Sequence, residues 1–135
     1  MRNIIILASI LFFVMFVYSG YDKIVYFNSK ITSLNNKLSK YNLPNSILKF
    51  GMILVILLET LGPIIILLRM ILGKNCPNIL KILSNVTFVC YILFLIFVTL
   101  IYHPPNDKII PFLSNCTTLG GIILMFIVSN STLIN

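Results

Sequence analysis

The stretch ILLETLGPIIILLRM, residues 56–70, is apolar except for Glu59, Thr60 and Arg69. Its apolar residues do not alternate with polar ones as in a barrel strand. Within hydrocarbon the backbone must satisfy its own hydrogen bonds, so such a run is a helix. A carboxylate at bilayer depth costs on the order of 2.5–3.5 kcal/mol on insertion scales, so Glu59 needs a partner.

The rest of the chain has the same character. It has 135 residues, 59% hydrophobic and 10% charged, with a mean hydropathy of +1.04. A soluble domain carries about a quarter charged residues. At about 1.5 Å rise per residue and a hydrocarbon core of about 30 Å, one span needs about 20 apolar residues. Four stretches qualify: Asn3–Phe27, Ile47–Leu72, Ile79–Tyr102 and Pro111–Ser129. The expected fold is all-α, a polytopic four-helix membrane bundle making one domain of residues 1–135, with both termini on the same side of the membrane. Arg2, the apolar core after it, and Val17 and Ser19 also fit a cleaved signal peptide. The apolar run continues through Tyr26 and Phe27, however, and cleavage would leave three spans and an orphaned Lys23.

The net charge of +7 is spread along the chain rather than gathered in a patch. Lys23, Lys30, Lys37, Lys40 and Lys49 flank the first connection, and Arg69, Lys74 and Lys81 the second. This pattern anchors helices at headgroups, making the lipid bilayer the partner and giving no nucleic-acid surface. Arg2, Arg69, Lys74 and Lys81 load one side about as heavily as the first connection and Lys108 load the other, so charge asymmetry does not set the orientation.

In the first connection Ile31, Leu34, Leu38 and Tyr41 recur at helical spacing, with Lys30, Lys37 and Lys40 opposite. This describes a short amphipathic helix lying in the headgroup plane between the first and second spans. Gly73–Asn78 is a tight turn, and His103–Lys108 contains the sole histidine. Cys76, Cys90 and Cys116 fall at different depths and form no C-x-x-C, which argues against thiol exchange. The sequons at Asn85, Asn115 and Asn130 lie in or beside spans and are poor glycan acceptors.

The polar residues concentrate in one half of the bundle. Glu59 is roughly 18 Å into its span, near the midplane. Tyr18 and Ser19 come within one or two turns of that level, and Lys23, Thr99, His103 and Asn115 line the same half nearer the surface. Gly62 and Pro63 share the face of Glu59. Pro63 has no N–H, and the carbonyl that loses its partner is that of Glu59 itself. Arg69 lies roughly 15 Å further along the axis and about 80° off that face, so the spacing predicts that it snorkels to the opposite interface. Lys23 is the better partner, because it shares a face with Ser19 and its stem can reach inward. In the fourth span Cys116 and Gly120, and Thr117 and Gly121, have small-xxx-small spacing for close helix packing. His103 has no His or Cys at ligand spacing, so no metal site is expected.

Ser19-Gly20 with Lys23, Pro44 before the second span, Glu59-Thr-Leu-Gly62 within it, and Asn115 leading to Leu119-Gly120-Gly121 together resemble the DoxX-like membrane proteins. The resemblance covers nearly the whole chain through short motifs. It implies a four-helix membrane bundle whose charged and small residues meet near one end. It also implies links to membrane redox systems and to quinone or thiosulfate chemistry, with distant relatives in cargo handling or receptor assembly. Pro63 stands where that family often has glycine.

The residues contain no nucleophile–base pair, metal cluster or phosphate loop. The expected function is therefore a non-catalytic accessory or scaffold, with Lys23 and Glu59 as a buried polar hinge, no cofactor, and other membrane proteins or further copies of the chain as partners. One alternative is a component of a redox system that binds a quinone or small organic molecule through Tyr18, Glu59 and His103. Another is a small proton- or ion-coupled carrier working as an oligomer.

Overall fold

A computed structural model of the chain describes residues 2–104 and 109–131. Lys108, and Thr132 of the last sequon, lie outside the described residues. Five α-helices follow in order: α1 Arg2–Val25, α2 Phe27–Lys37, α3 Asn45–Leu72, α4 Asn78–Tyr102 and α5 Ile109–Asn130. All but α2 are long and apolar enough to cross a membrane. The chain is thus a small all-helical protein with the helices of a multi-pass membrane protein.

Local chemistry sets the helix ends. Pro44 and Pro77 precede α3 and α4 with φ −59° and −58°. Their fixed φ turns the chain into each helix, and their carbonyls accept the first amides, Leu48 N–H at 3.3 Å and Lys81 N–H at 3.1 Å. Gly73 ends α3 at φ 53°, a conformation that costs a residue without Cβ little. Pro111 lies in the first turn of α5, where its missing N–H would have no helical acceptor.

The first span ends two residues earlier than its apolar run, because the helix breaks at Tyr26, with φ −106° and ψ 34°. Asp22 and Lys30 bridge the break at 2.6 Å. The apolar stripe of α2 is occupied by protein. Ile31 is buried with Leu48 and Met52 of α3, and Phe27, Leu34 and Leu38 pack against them. Tyr41, expected on the same stripe, is 70% exposed.

α1 packs on α3, α3 on α4 and α4 on α5. The core at their centre joins Phe13 and Phe16 of α1, Ile66 and Met70 of α3, Phe88, Tyr91 and Leu95 of α4, and Ile122 of α5. Lipid tails are as apolar as leucine, so burial alone does not hold such helices together. Close fit and interhelical hydrogen bonds must do so. The Phe16 and Tyr91 rings meet edge to face at 4.9 Å, and small residues admit close approach elsewhere. A Cβ on Gly62 would meet the Tyr91 hydroxyl at 2.9 Å, and one on Gly121 would meet Phe12 Cε2 at 2.6 Å. At Gly120, also expected on the packing surface, a Cβ would meet nothing within 4 Å. Of two adjacent glycines, only Gly121 faces α1.

Candidate functional site

The tightest polar cluster lies where α1 crosses α3. Ser19 and Lys23, one turn apart on α1, face Glu59 on α3. The Lys23 ammonium donates to Glu59 Oε1 at 2.9 Å, to Oε2 at 2.8 Å and to Ser19 Oγ at 2.6 Å. The Ser19 hydroxyl donates in turn to Glu59 Oε1 at 3.3 Å. The ammonium thus meets both oxygens of the carboxylate and the serine hydroxyl. The result is a neutral closed ring of hydrogen bonds. Glu59 is 3% exposed, whereas the Lys23 side chain is 20% exposed and approaches from the rim.

Gly20 makes this crossing possible. A Cβ at this position would lie 2.8 Å from Thr60 Cγ2 and 3.2 Å from Glu59 Cβ. Thr60 cannot easily turn aside, because its hydroxyl donates to the Ile56 carbonyl at 2.7 Å. Gly20→Ala is therefore expected to push α1 off α3 and cost about 1–3 kcal/mol. Gly120→Ala should be neutral or stabilise by up to about 1 kcal/mol through helix propensity. Unfolding of both variants in detergent micelles checks the contrast; equal effects would show that the close approach at Gly20 does not matter.

Pro63 is buried beside this cluster without breaking α3. The Tyr91 hydroxyl, from α4, donates to the Leu58 carbonyl at 2.9 Å. Tyr91 thus ties α4 to α3 one residue before the carbonyl that Pro63 deprives of its amide. Among the described residues no side chain donates to the Glu59 carbonyl.

Other expected members of the site lie elsewhere. Tyr18 is 71% exposed on the outer face of α1, because it precedes Ser19 and is therefore turned about 100° from the face that meets Glu59. Thr99 spends its hydroxyl proton on the Leu95 carbonyl at 2.6 Å. His103 follows α4, half-buried, with its N–H on the Thr99 carbonyl at 3.0 Å. Asn115 lies on α5 against α4, in a cleft that also includes Thr99. None of these four is hydrogen-bonded to Ser19, Lys23 or Glu59. The three cysteines are free thiols.

A second polar cluster was not anticipated. Arg69, expected to snorkel to the interface, is 7% exposed and turned into the protein. It donates to the Lys81 carbonyl at 3.3 Å and to Asn85 Oδ1 on α4, and to the Ser129 carbonyl at 3.1 Å and Asn130 Oδ1 at 2.7 Å on α5. Asn130 also donates to Asn85 Oδ1 at 3.3 Å. The exposed carbonyls at a helix C-terminus carry partial negative charge, and the guanidinium sits against those of α5. The available signal was the pair of sequon asparagines, Asn85 and Asn130, whose amides fall near the level of Arg69.

No protein-family model, curated protein or solved structure matches the chain. Its function is therefore argued from these two clusters. The Lys23 cluster fastens α1 to α3, and the Arg69 cluster fastens α3, α4 and α5. In both, the cationic side chain is hydrogen-bonded within the protein, and among the described residues no three His, Cys, Asp or Glu side chains gather as a metal site would require.

Proposed function

We propose that the chain is a non-catalytic, multi-pass membrane accessory protein or scaffold in which Lys23, Ser19 and Glu59 form a latch between α1 and α3. The observation that carries this reading is the closed ring itself. The Lys23 ammonium meets both Glu59 oxygens and Ser19 Oγ, and Glu59 is nearly sealed. These hydrogen bonds run from α1 to α3, so the cluster's polar groups join the two helices to each other. The outward faces of the four long helices are apolar, suited to lipid or to the helices of other membrane proteins. With four crossings, both termini lie on the same side of the membrane. α2 sits at the opposite surface, its lysines at the headgroups and its apolar stripe on α3.

The resemblance to DoxX-like proteins supports the same reading. Gly20 and Gly62, two of the residues that carry it, are the close-approach positions beside Lys23 and Glu59. The test is affinity recovery of the full-length chain from its native membrane, with mass spectrometry of bound proteins and small molecules. The comparison is with a Lys23→Met/Glu59→Leu double variant. A latch predicts the same membrane-protein partners for both and no organic ligand lost from the variant. A quinone that copurifies with the wild type and disappears from a folded double variant would overturn the reading in favour of a redox component.

A further inference from the structure

Lys23 pairs with Glu59 and, further along the chain, Ile31 packs with Leu48 and Met52, so α2 runs beside the first turns of α3. Counted from the hydrogen bond between Tyr91 and Leu58, the end of α4 at Tyr102 reaches those same turns. The end of a spanning helix marks the edge of the hydrocarbon, so α2 stands at headgroup level. With Ile31 turned toward α3, Ser29, Ser33, Asn36 and Lys37 share the opposite side of α2, in one shallow polar depression.

This depression is rich in donors and poor in negative charge. Two hydroxyls, an amide and an ammonium face outward, and among the described residues these four side chains have no hydrogen-bond partner. Thr32, at its edge, donates to the Asn28 carbonyl at 3.0 Å. No Asp or Glu occurs between Asp22 and Glu59, and those two carboxylates hold Lys30 and Lys23. The third acid, Asp107, is followed directly by Lys108, so the two add no net charge. Lys37, Lys40 and Lys49 are exposed and, among the described residues, have no ion pair. The fitting partner is negatively charged and rich in acceptors. At headgroup level that is an anionic phospholipid, since a zwitterionic one carries a cation beside its phosphate that lysines repel.

We infer that the outer face of α2 binds the headgroup of an anionic phospholipid, with Lys37 meeting its phosphate, Ser29, Ser33 and Asn36 donating to headgroup oxygens, and Lys40 and Lys49 adding to the attraction. The inference rests on the multi-pass membrane reading above and not on the Lys23 latch.

The test uses two lipids with the same acyl chains. Full-length protein is reconstituted in nanodiscs holding equal amounts of dioleoyl phosphatidylglycerol and dioleoyl phosphatidylcholine, and lipid retained after extraction is identified by native mass spectrometry. The wild type should retain the anionic lipid about fivefold over the zwitterionic one, as expected for one lysine beside an anionic headgroup. Lys37→Gln/Lys40→Gln/Lys49→Gln should lose most of that preference, and Lys74→Gln/Lys81→Gln, at the other end of the bundle, should keep most of it. Ser29→Ala/Ser33→Ala/Asn36→Ala, with every lysine in place, should reduce it to about half or less, which diffuse charge attraction does not predict. Equal retention of the two lipids, or a preference untouched by either α2 variant, would overturn the inference. Protein that stays outside the nanodiscs would overturn the membrane reading as well, whereas incorporated protein without the preference overturns this inference alone.

Discussion

Lys23→Met is expected to destabilise the protein by about 3–5 kcal/mol, the cost of stranding one member of a buried ion pair. The remaining carboxylate, Glu59, is 3% exposed and cannot turn toward water without parting α1 from α3. Glu59→Leu should cost less. It leaves an ammonium on a side chain that is already 20% exposed and can swing outward along its stem. Replacing both residues, as Lys23→Met/Glu59→Leu, should return stability to within about 1–2 kcal/mol of the wild type, because a buried pair and well-packed apolar side chains are often nearly equal in energy. Reversible unfolding in mixed detergent micelles measures all three. A double variant as unstable as the worse single one would mean that the pair does more than compensate its own charges.

Arg69→Met should have a comparable effect at the other end of the bundle, on the order of 3 kcal/mol, since a buried network of charge-assisted hydrogen bonds is lost at once. The loss should be localised. Arg69 is the residue that donates from α3 to both Ser129 and Asn130 of α5, so the last two turns of α5 should lose protection first. Arg69→Lys should recover less than half of it. An ammonium has three donors around one point, whereas the guanidinium spreads its donors across a plane and reaches acceptors on two helices at once. Hydrogen exchange followed by mass spectrometry, resolved to α5 peptides, checks both variants. Unchanged exchange in α5 with Arg69→Met would remove the fastening role of the guanidinium.

These two clusters differ in how far the sequence reveals them. Ser19 and Lys23 are four residues apart on one helix, and Glu59 is the sole acidic residue within the apolar run of its span. With so few intramembrane charges, depth alone brings Lys23 and Glu59 together. The same reasoning misplaces Tyr18, because depth says nothing of direction around the helix. It also misreads Arg69, whose position was judged from its own helix. Its acceptors come from α4 and α5, and two of them are main-chain carbonyls that no side-chain pattern announces. The four long helices begin and end within two residues of the expected apolar stretches, since apolar length is read directly from the sequence. The division of the first apolar run into α1 and α2 is not, because Tyr26 is apolar enough to continue it. What shapes that break is the packing of Ile31 onto Leu48 and Met52, a contact between distant parts of the chain.

The Arg69 cluster also bears on biogenesis. Lys23 is synthesised 36 residues before Glu59, so the latch can close as soon as α3 joins α1. Arg69 enters with the same helix, but Asn85 follows it by 16 residues and Ser129 by 60. Its guanidinium therefore waits through the insertion of two further helices before its last acceptors arrive. A chain that stops before α5 therefore holds its guanidinium on the α4 acceptors alone, with the Ser129 and Asn130 half of the cluster missing.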